Sequence, residues 1–347
     1  MGYAAKGAYF MGNRIFEVQE QSLPALGDGD VLIKNMACGV CGTDVHIYHG
    51  EAGSADVSPP VILGHEYSGE IVETGRAVSA VKPGDKVTVD PNIYCGECRY
   101  CRNGKKQLCE NMRAIGVTRD GGFAQYSVVP AAQTFLLSPD VSYELGAMAE
   151  PLACCIHGVD LAGVRTGDTV CVIGGGAIGL LMVQLAKLGG AGCVILSEPI
   201  AMRREIGKRL GADLCLDPIK QNLSDEIKKR AGLCGADVVI ECAGNTSAIK
   251  QAFEIAAKGA TLMLFSVPNP DATFDLPLFD VFKKELKIQG SFVNPDTHAR
   301  AVQMINAGKI IMNPIITHRF RLDEIEQAVQ TQMDDKSIKV IVEPNKV

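Results

Sequence analysis

The 347-residue chain lacks the features that would direct it to nucleic acid or to a membrane. It has no basic cluster and no long run of one charge, and its net charge at pH 7 is −6. An acidic surface repels polyanions and anionic lipid, so neither nucleic acid nor a membrane is an expected partner. The first 18 residues contain no continuous apolar segment and no cleavage site. No signal peptide is therefore predicted, and a cytoplasmic location is expected.

Repeats and low-complexity segments are also missing, and 347 residues exceed what one hydrophobic core usually supports, so two domains are expected. Over the first ~150 residues, β-branched and polar residues alternate between frequent Gly and Pro, which is typical of a barrel or sandwich. From Gly167 onward, continuous apolar strands alternate with helices, which predicts a parallel sheet covered on both faces. A late strand is predicted at 338–342.

Four cysteines occur within fifteen residues: Cys95, Cys98, Cys101 and Cys109. Thiolates at this spacing can face one point, which is what a structural zinc ion requires. Disulfides are disfavoured because cytosolic thiols stay reduced. An iron–sulfur cluster also accepts four thiolates. It is the less favoured alternative, because a second and different group of candidate metal ligands accompanies the quartet.

A G-x-G-x-x-G pattern formed by Gly174, Gly176 and Gly179 follows a predicted strand and opens a predicted helix. These glycines allow a tight turn, the approach of a pyrophosphate and close helix–sheet packing, and the phosphates then meet the helix N-terminus. Glu198 ends the next strand about twenty residues on, where a carboxylate bonds ribose hydroxyls and disfavours a 2′-phosphate. NAD is therefore the predicted cofactor, although Arg203 could instead meet a phosphate.

The second group of candidate metal ligands consists of Cys41, His65 and Glu66. A thiolate, an imidazole and a carboxylate from separate loops leave one coordination position open, which distinguishes a catalytic zinc from a structural one. Each residue alone has an ordinary structural explanation, but their joint occurrence upstream of a nucleotide site favours a metal. Asp44 is predicted to orient the ligating histidine without touching the metal.

With these motifs, the sequence resembles the medium-chain zinc-dependent alcohol dehydrogenases, and within them the polyol (sorbitol or iditol) and threonine dehydrogenase branch. The pattern G-H-E-x2-G-x5-G-x2-V, starting at Gly64, matches the zinc signature of that family, and the resemblance covers essentially the whole chain. It implies an α/β protein whose GroES-like β-rich catalytic domain, with a structural-zinc lobe at about 91–112, spans 1–152 and 293–347. A Rossmann NAD-binding domain would span 153–292, with the active site in the cleft between the two domains.

The resemblance also implies roles for single residues. Cys41 and His65 match catalytic zinc ligands, and the third ligand is Glu66 or Glu150, two arrangements that the sequence leaves open. Thr43 and His46 stand where the proton relay of the family runs. The positions that would line the cofactor are Ile178, Glu198, Arg203 and Val267.

One departure concerns the substrate. Sorbitol-type enzymes carry an Arg-Tyr pair that holds substrate hydroxyls, and this chain has Val293 and Asn294 there. Asn294 could contact a hydroxyl or belong to a loop turn.

The implied activity is reversible, NAD-linked oxidation of a secondary alcohol to a ketone by an enzyme with two zinc ions per chain. A free polyol is ranked first because Glu150 implies an acidic, hydrophilic cleft; threonine, vicinal diols of the butanediol type and phosphorylated polyols stay open. A zinc-free quinone or enone reductase is disfavoured by the intact ligand set, and a nucleotide-binding sensor or structural protein without turnover is the alternative of another class. A homotetramer or homodimer is implied by the resemblance alone.

Overall fold

A computed structural model describes residues 5–51, 55–231 and 234–346. These residues form two compact units. The first runs to Ala153 and resumes at Asn294, and the second is Cys154–Val293. The chain therefore leaves the first unit once and returns to it once.

The strands are, in chain order, β1 Lys6–Gly12, β2 Ile15–Glu20, β3 Asp30–Gly39, β4 Val61–Ile62, β5 Glu66–Thr74, β6 Lys86–Val89, β7 Asn92–Ile93, β8 Arg113–Ala114, β9 Tyr126–Pro130, β10 Thr134–Leu136, β11 Thr169–Ile173, β12 Cys193–Ser197, β13 Leu214–Leu216, β14 Ala236–Glu241, β15 Ala256–Leu264, β16 Lys287–Gly290, β17 Ile316–Arg321 and β18 Lys339–Glu343. The α-helices are α1 Gly42–Tyr48, α2 Arg99–Arg102, α3 Tyr143–Ala147, α4 Ala149–Ala162, α5 Ala177–Leu188, α6 Ala201–Arg209, α7 Leu223–Ala231, α8 Thr246–Ile255, α9 Leu278–Lys284, α10 His298–Asn306 and α11 Ile325–Gln332.

The first unit is built mainly from strands, as the alternation of its sequence predicts. Its largest sheet has the order β10-β6-β5-β3-β18-β17, with β9 also paired to β3. The late strand β18 runs antiparallel to β3, with Ile341 opposite Gly39. Apolar side chains such as Ile33, Tyr67 and Val340 form one buried cluster. This pairing brings residues from the end of the chain beside the segment that precedes Cys41.

The second unit is a six-stranded sheet in the order β13-β12-β11-β14-β15-β16, and every neighbouring pair is parallel. All five residues of β11 are buried, and three residues separate the end of this strand from the start of α5. The predicted strand, turn and helix are therefore confirmed. The strand order reverses between β11 and β14, where open sheets of this type bind dinucleotides.

In the part of the chain that the structure describes, one apolar stretch has the length and composition of a membrane-crossing helix. It is Tyr143–Ala162, which comprises α3 and α4. Within the most apolar window of this stretch, 72% is buried inside the protein. Such burial is typical of core helices.

Candidate active site

The four predicted cysteines of the quartet converge on one point of the first unit. β7, α2 and a 3-10 turn at Lys106–Leu108 position them, and their four Sγ atoms all lie within 4.8 Å of one another. Backbone N–H groups point at the sulfurs: Cys98 N is 3.4 Å from Cys95 Sγ, and Cys101 N is 3.5 Å from Cys98 Sγ. Such N–H groups lower the pKa of Cys95 to about 6 and that of Cys98 as well.

All four cysteines are free thiols, so the disulfide alternative has no support. A tetrahedral zinc with Zn–S bonds of about 2.3 Å needs sulfurs about 3.8 Å apart. Cys95 Sγ and Cys101 Sγ are 4.0 Å apart. The quartet therefore fits a zinc ion.

Cys41, His65 and Glu66 also come together, because β3 and β5 are paired with Gly39 opposite Glu66. Cys41 follows β3 and stands at the N-terminus of α1, while His65 and Glu66 lie at the start of β5. One ligand atom from each of the three lies within 4.8 Å of the other two. The structure therefore places the predicted thiolate, imidazole and carboxylate around one point.

The electrostatics of this group suit a cation. Burial opposes protonation of His65, but the negative charges of Asp44, Cys41 and Glu150 outweigh it and raise the pKa of His65 well above its usual value. Asp44 is fully buried; its Oδ2 accepts a hydrogen bond from Cys41 N at 2.9 Å, and its Oδ1 lies 3.6 Å from His65 Nδ1. Within the described residues, His65 Nδ1 and Asp44 Oδ1 have no hydrogen-bond partner. These two buried atoms face each other, so Asp44 is placed to hold the imidazole through Nδ1 and leave the other ring nitrogen for a metal ion.

Glu150 lies in the first turn of α4 and is 6% exposed. Among the described residues it does not belong to the group within 4.8 Å, although its charge acts on His65. Of the two carboxylates that the sequence left open as the third ligand, Glu66 is the one that groups with Cys41 and His65.

Sequence reasoning missed Lys339, a buried lysine at the start of β18. Its Nζ donates to the carbonyl of Val40 at 3.0 Å and forms an ion pair with Glu66. Lys339 therefore contacts both segments that supply the candidate metal ligands. A lysine within the apolar run of a predicted strand was the one available signal.

Thr43 and His46 lie on α1, one helical turn apart. His46 Nδ1 is 2.5 Å from Glu51 Oε2, and the side chains of His46 and Glu51 are 28% and 39% exposed. The hydrogen bond from His46 lowers the pKa of Glu51. Glu51, to which no sequence motif pointed, gives His46 a partner that is open to solvent.

The glycine loop has the geometry that its pattern predicts. Gly174 has φ of +100°, and a Cβ on Gly179 would lie 1.8 Å from the Gly174 carbonyl oxygen. Among the described residues other than its two chain neighbours, none has an atom within 4 Å of a Cβ built on Gly176. The loop is therefore tight, close to α5 and open at the position where a pyrophosphate would approach; Ile178, in the first turn of α5, is half-buried.

Glu198 is buried at the end of β12, and both of its oxygens accept backbone hydrogen bonds, from Gly175 N at 2.6 Å and from Ile200 N at 2.8 Å. Arg204 donates to the Glu198 carbonyl at 2.7 Å and has a structural role. Arg203 is half-buried in the first turn of α6, and Val267, after β15, is exposed.

A second missed carboxylate stabilises the turn after β14. Glu241 is fully buried, accepts from Ala243 N at 2.6 Å and Gly244 N at 2.8 Å, and bonds the Ser266 hydroxyl. This turn adjoins the glycine loop, because a Cβ on Gly174 would lie 3.1 Å from Ala243 N.

Two family models match the chain: "Alcohol dehydrogenase GroES-like domain" over residues 27–140 and "Zinc-binding dehydrogenase" over residues 177–307. An L-threonine 3-dehydrogenase from Caldanaerobacter subterraneus subsp. tengcongensis is 36% identical over 94% of this chain and 95% of its own. The chain belongs to the medium-chain zinc-dependent alcohol dehydrogenase family. The predicted fold class, a GroES-like domain plus a Rossmann-like parallel sheet, is confirmed.

Other relatives of this dehydrogenase have different names. A sorbitol dehydrogenase from Bacillus subtilis is 32% identical, with 98% of each chain covered. The structure of a zinc-binding dehydrogenase from Sinorhizobium meliloti 1021, bound to NADP, matches with a TM-score of 0.93 and 42% identity over 98% of this chain and 99% of that one.

In this dehydrogenase, the side chain of Asn294 makes an internal hydrogen bond. Asn294 is fully buried, and its Oδ1 accepts a hydrogen bond from Asn92 Nδ2 at 2.5 Å. Of the two alternatives that the sequence left open, this geometry favours the loop role over contact with a substrate hydroxyl.

Proposed function

We propose that this dehydrogenase oxidises a secondary alcohol to a ketone with NAD, and that the alcohol is a free polyol. The convergence of Cys41, His65 and Glu66 within 4.8 Å, in a strongly negative environment, is the observation that carries the proposal. A zinc ion held there would act as a Lewis acid that lowers the pKa of a bound hydroxyl.

The residues around the metal have separate tasks. Asp44 orients His65, and Lys339 balances the charge of Glu66 while fixing the segment before Cys41. The Thr43 hydroxyl and the His46 imidazole receive the proton that the alcohol loses, and Glu51 accepts it from His46 Nδ1 near the surface. Glu150 serves as a further metal ligand or as a carboxylate for the substrate hydroxyls.

The charges in the first unit favour a neutral substrate. Asp44 and Glu150 lie near the candidate ligands Cys41, His65 and Glu66. The nearby cation Lys339 is already paired with Glu66. A substrate carboxylate would be repelled there, whereas polyol hydroxyls can donate hydrogen bonds to carboxylates. Threonine is the second candidate, because several threonine dehydrogenases are 34–36% identical to this chain.

A substrate panel read by NADH absorbance tests the proposal. Sorbitol, xylitol, 2,3-butanediol and L-threonine are compared by kcat/KM at one pH, and we expect a polyol to have the highest value. A higher value for threonine or for the diol would reverse the ranking. Tight NAD binding without oxidation of any alcohol would instead support the sensor alternative.

A further inference from the structure

The chain returns to the first unit through backbone in unfavourable conformations. Val293 has φ of +46° and Asp296 has φ of +56°. Left-handed conformations are unfavourable for a non-glycine residue, and they persist where surrounding contacts fix them. The contacts of the segment 294–297 therefore show which interactions stabilise these conformations.

One side of the segment is fixed by the lobe that carries the cysteine quartet. Asn294 accepts its hydrogen bond from Asn92, three residues before Cys95, and both asparagines are buried. Asp296 Oδ1 also accepts from Lys106 Nζ at 2.8 Å, but this ion pair is exposed and contributes little to fixing the segment.

The other side of the segment is fixed to the helix that carries Glu150. The Thr297 hydroxyl donates to the carbonyl oxygen of Ala153 at 2.8 Å, and Ala153 follows Glu150 by one turn of α4. Asp90 lies between the same parts: its Oδ1 accepts from Asn92 N at 3.1 Å, and burial, with a contribution from repulsion by the charge of Glu150, raises the pKa of Asp90 to about 7.

We propose that Asn92 and Asn294 are positioning residues for Glu150. Their amide pair ties the cysteine quartet, through Thr297 and Ala153, to the first turn of α4. An amide pair suits this task because it links two backbone segments without adding charge beside Asp90 and Glu150. The inference rests on the proposed function only for the role of Glu150 in catalysis.

The test compares Asn92→Ala, Asn294→Ala and the double variant by hydrogen exchange with mass spectrometry. We expect hydrogen exchange at 149–153 to rise about tenfold in each single variant. The double variant should show no further rise, because the two substitutions remove the same interaction. kcat/KM for the best alcohol should fall about tenfold, while zinc in the cysteine quartet stays bound. Lys106→Met, which removes an exposed ion pair, is the matched control and should change exchange at 149–153 little.

Unchanged exchange at 149–153, or an equal rise throughout the first unit, would overturn the proposal. If Asn294→Ala does not fold, Asn294→Ser replaces it and is judged by the same two criteria. Exchange is measured without turnover. An inactive wild-type protein would therefore contradict the proposed function and leave the positioning result intact.

Discussion

A single buried lysine joins the two segments that supply the candidate metal ligands. Lys339 bonds the Val40 carbonyl and pairs with Glu66, and both charged side chains are almost completely buried. A buried carboxylate that loses its cation keeps the full desolvation penalty of its charge. The stability of the site at the level of single residues therefore depends on this pair.

Lys339→Met should destabilise the metal-free protein by about 3–5 kcal/mol, because it leaves the Glu66 charge buried without a cation. Lys339→Arg retains the positive charge and should destabilise the metal-free protein less. The measurement is urea unfolding in the presence of a chelator, repeated with added zinc, which should recover part of the loss. If the double variant Lys339→Met/Glu66→Gln is no more stable than Lys339→Met, the charge argument is wrong.

His46→Gln should slow alcohol oxidation by about 100-fold at pH 6 and much less at pH 9, because hydroxide can replace the missing base at high pH. The observable is the pH dependence of kcat from pH 6 to pH 9. Glu51→Gln keeps the imidazole but removes its 2.5 Å partner, so a smaller loss is expected. A pH–rate profile of His46→Gln parallel to that of the wild type would remove His46 from the relay.

His298 should make the protein sensitive to acid. It is buried against Phe135, with ring centroids 4.8 Å apart, and burial lowers its pKa from 6.5 to about 3. Between these two pH values the unfolded chain binds the proton and the folded chain does not. The free energy of unfolding therefore falls with falling pH, by up to about 1.4 kcal/mol per pH unit.

His298→Phe keeps an aromatic ring against Phe135 and removes the titratable imidazole. From pH 7 to pH 5 the variant should lose about 2 kcal/mol less stability than the wild type, as measured by urea unfolding at both pH values. Equal losses would show that His298 does not set this dependence.

At the scale of elements, sequence patterns predicted the features that depend on residues close together in the chain. The strand, turn and helix from Thr169 to Leu188 follow from an apolar run, three glycines and a helical period, and all three elements were predicted. The cysteine quartet was also predicted as a cluster, because its spacing is short. The pairs Lys339–Val40 and Asn92–Asn294 join residues 299 and 202 positions apart, and no local pattern reveals which strands bring them together.

The turn after β12 should determine the choice of nucleotide. Glu198→Gln removes the negative charge that disfavours a 2′-phosphate, together with one of the two backbone hydrogen bonds that the carboxylate accepts, so the ratio of kcat/KM for NADP to that for NAD should rise about tenfold. Arg203→Gln is the companion variant and should lower use of NADP. A similar dehydrogenase structure is bound to NADP, so the nucleotide preference of the wild type is measured first. A wild-type protein that prefers NADP would contradict the NAD assignment.

At the scale of the whole molecule, the two ligand groups predict two zinc ions per chain. Mass spectrometry of the metal-loaded native protein should give this stoichiometry, and Cys98→Ser should remove one zinc ion while the Cys41 group keeps the other. A wild-type protein with one zinc ion or none would contradict the assignment of one of the two groups.

The late position of β18 also has a consequence for biosynthesis. The second unit is contiguous in sequence, so it can fold on the ribosome while the first unit still waits for its last strand. Lys339 emerges long after Cys41, His65 and Glu66 have left the exit tunnel. Until then the nascent chain exposes these three candidate metal ligands without the ammonium group that balances the charge of Glu66, so a metal ion captured early would bind an incomplete site.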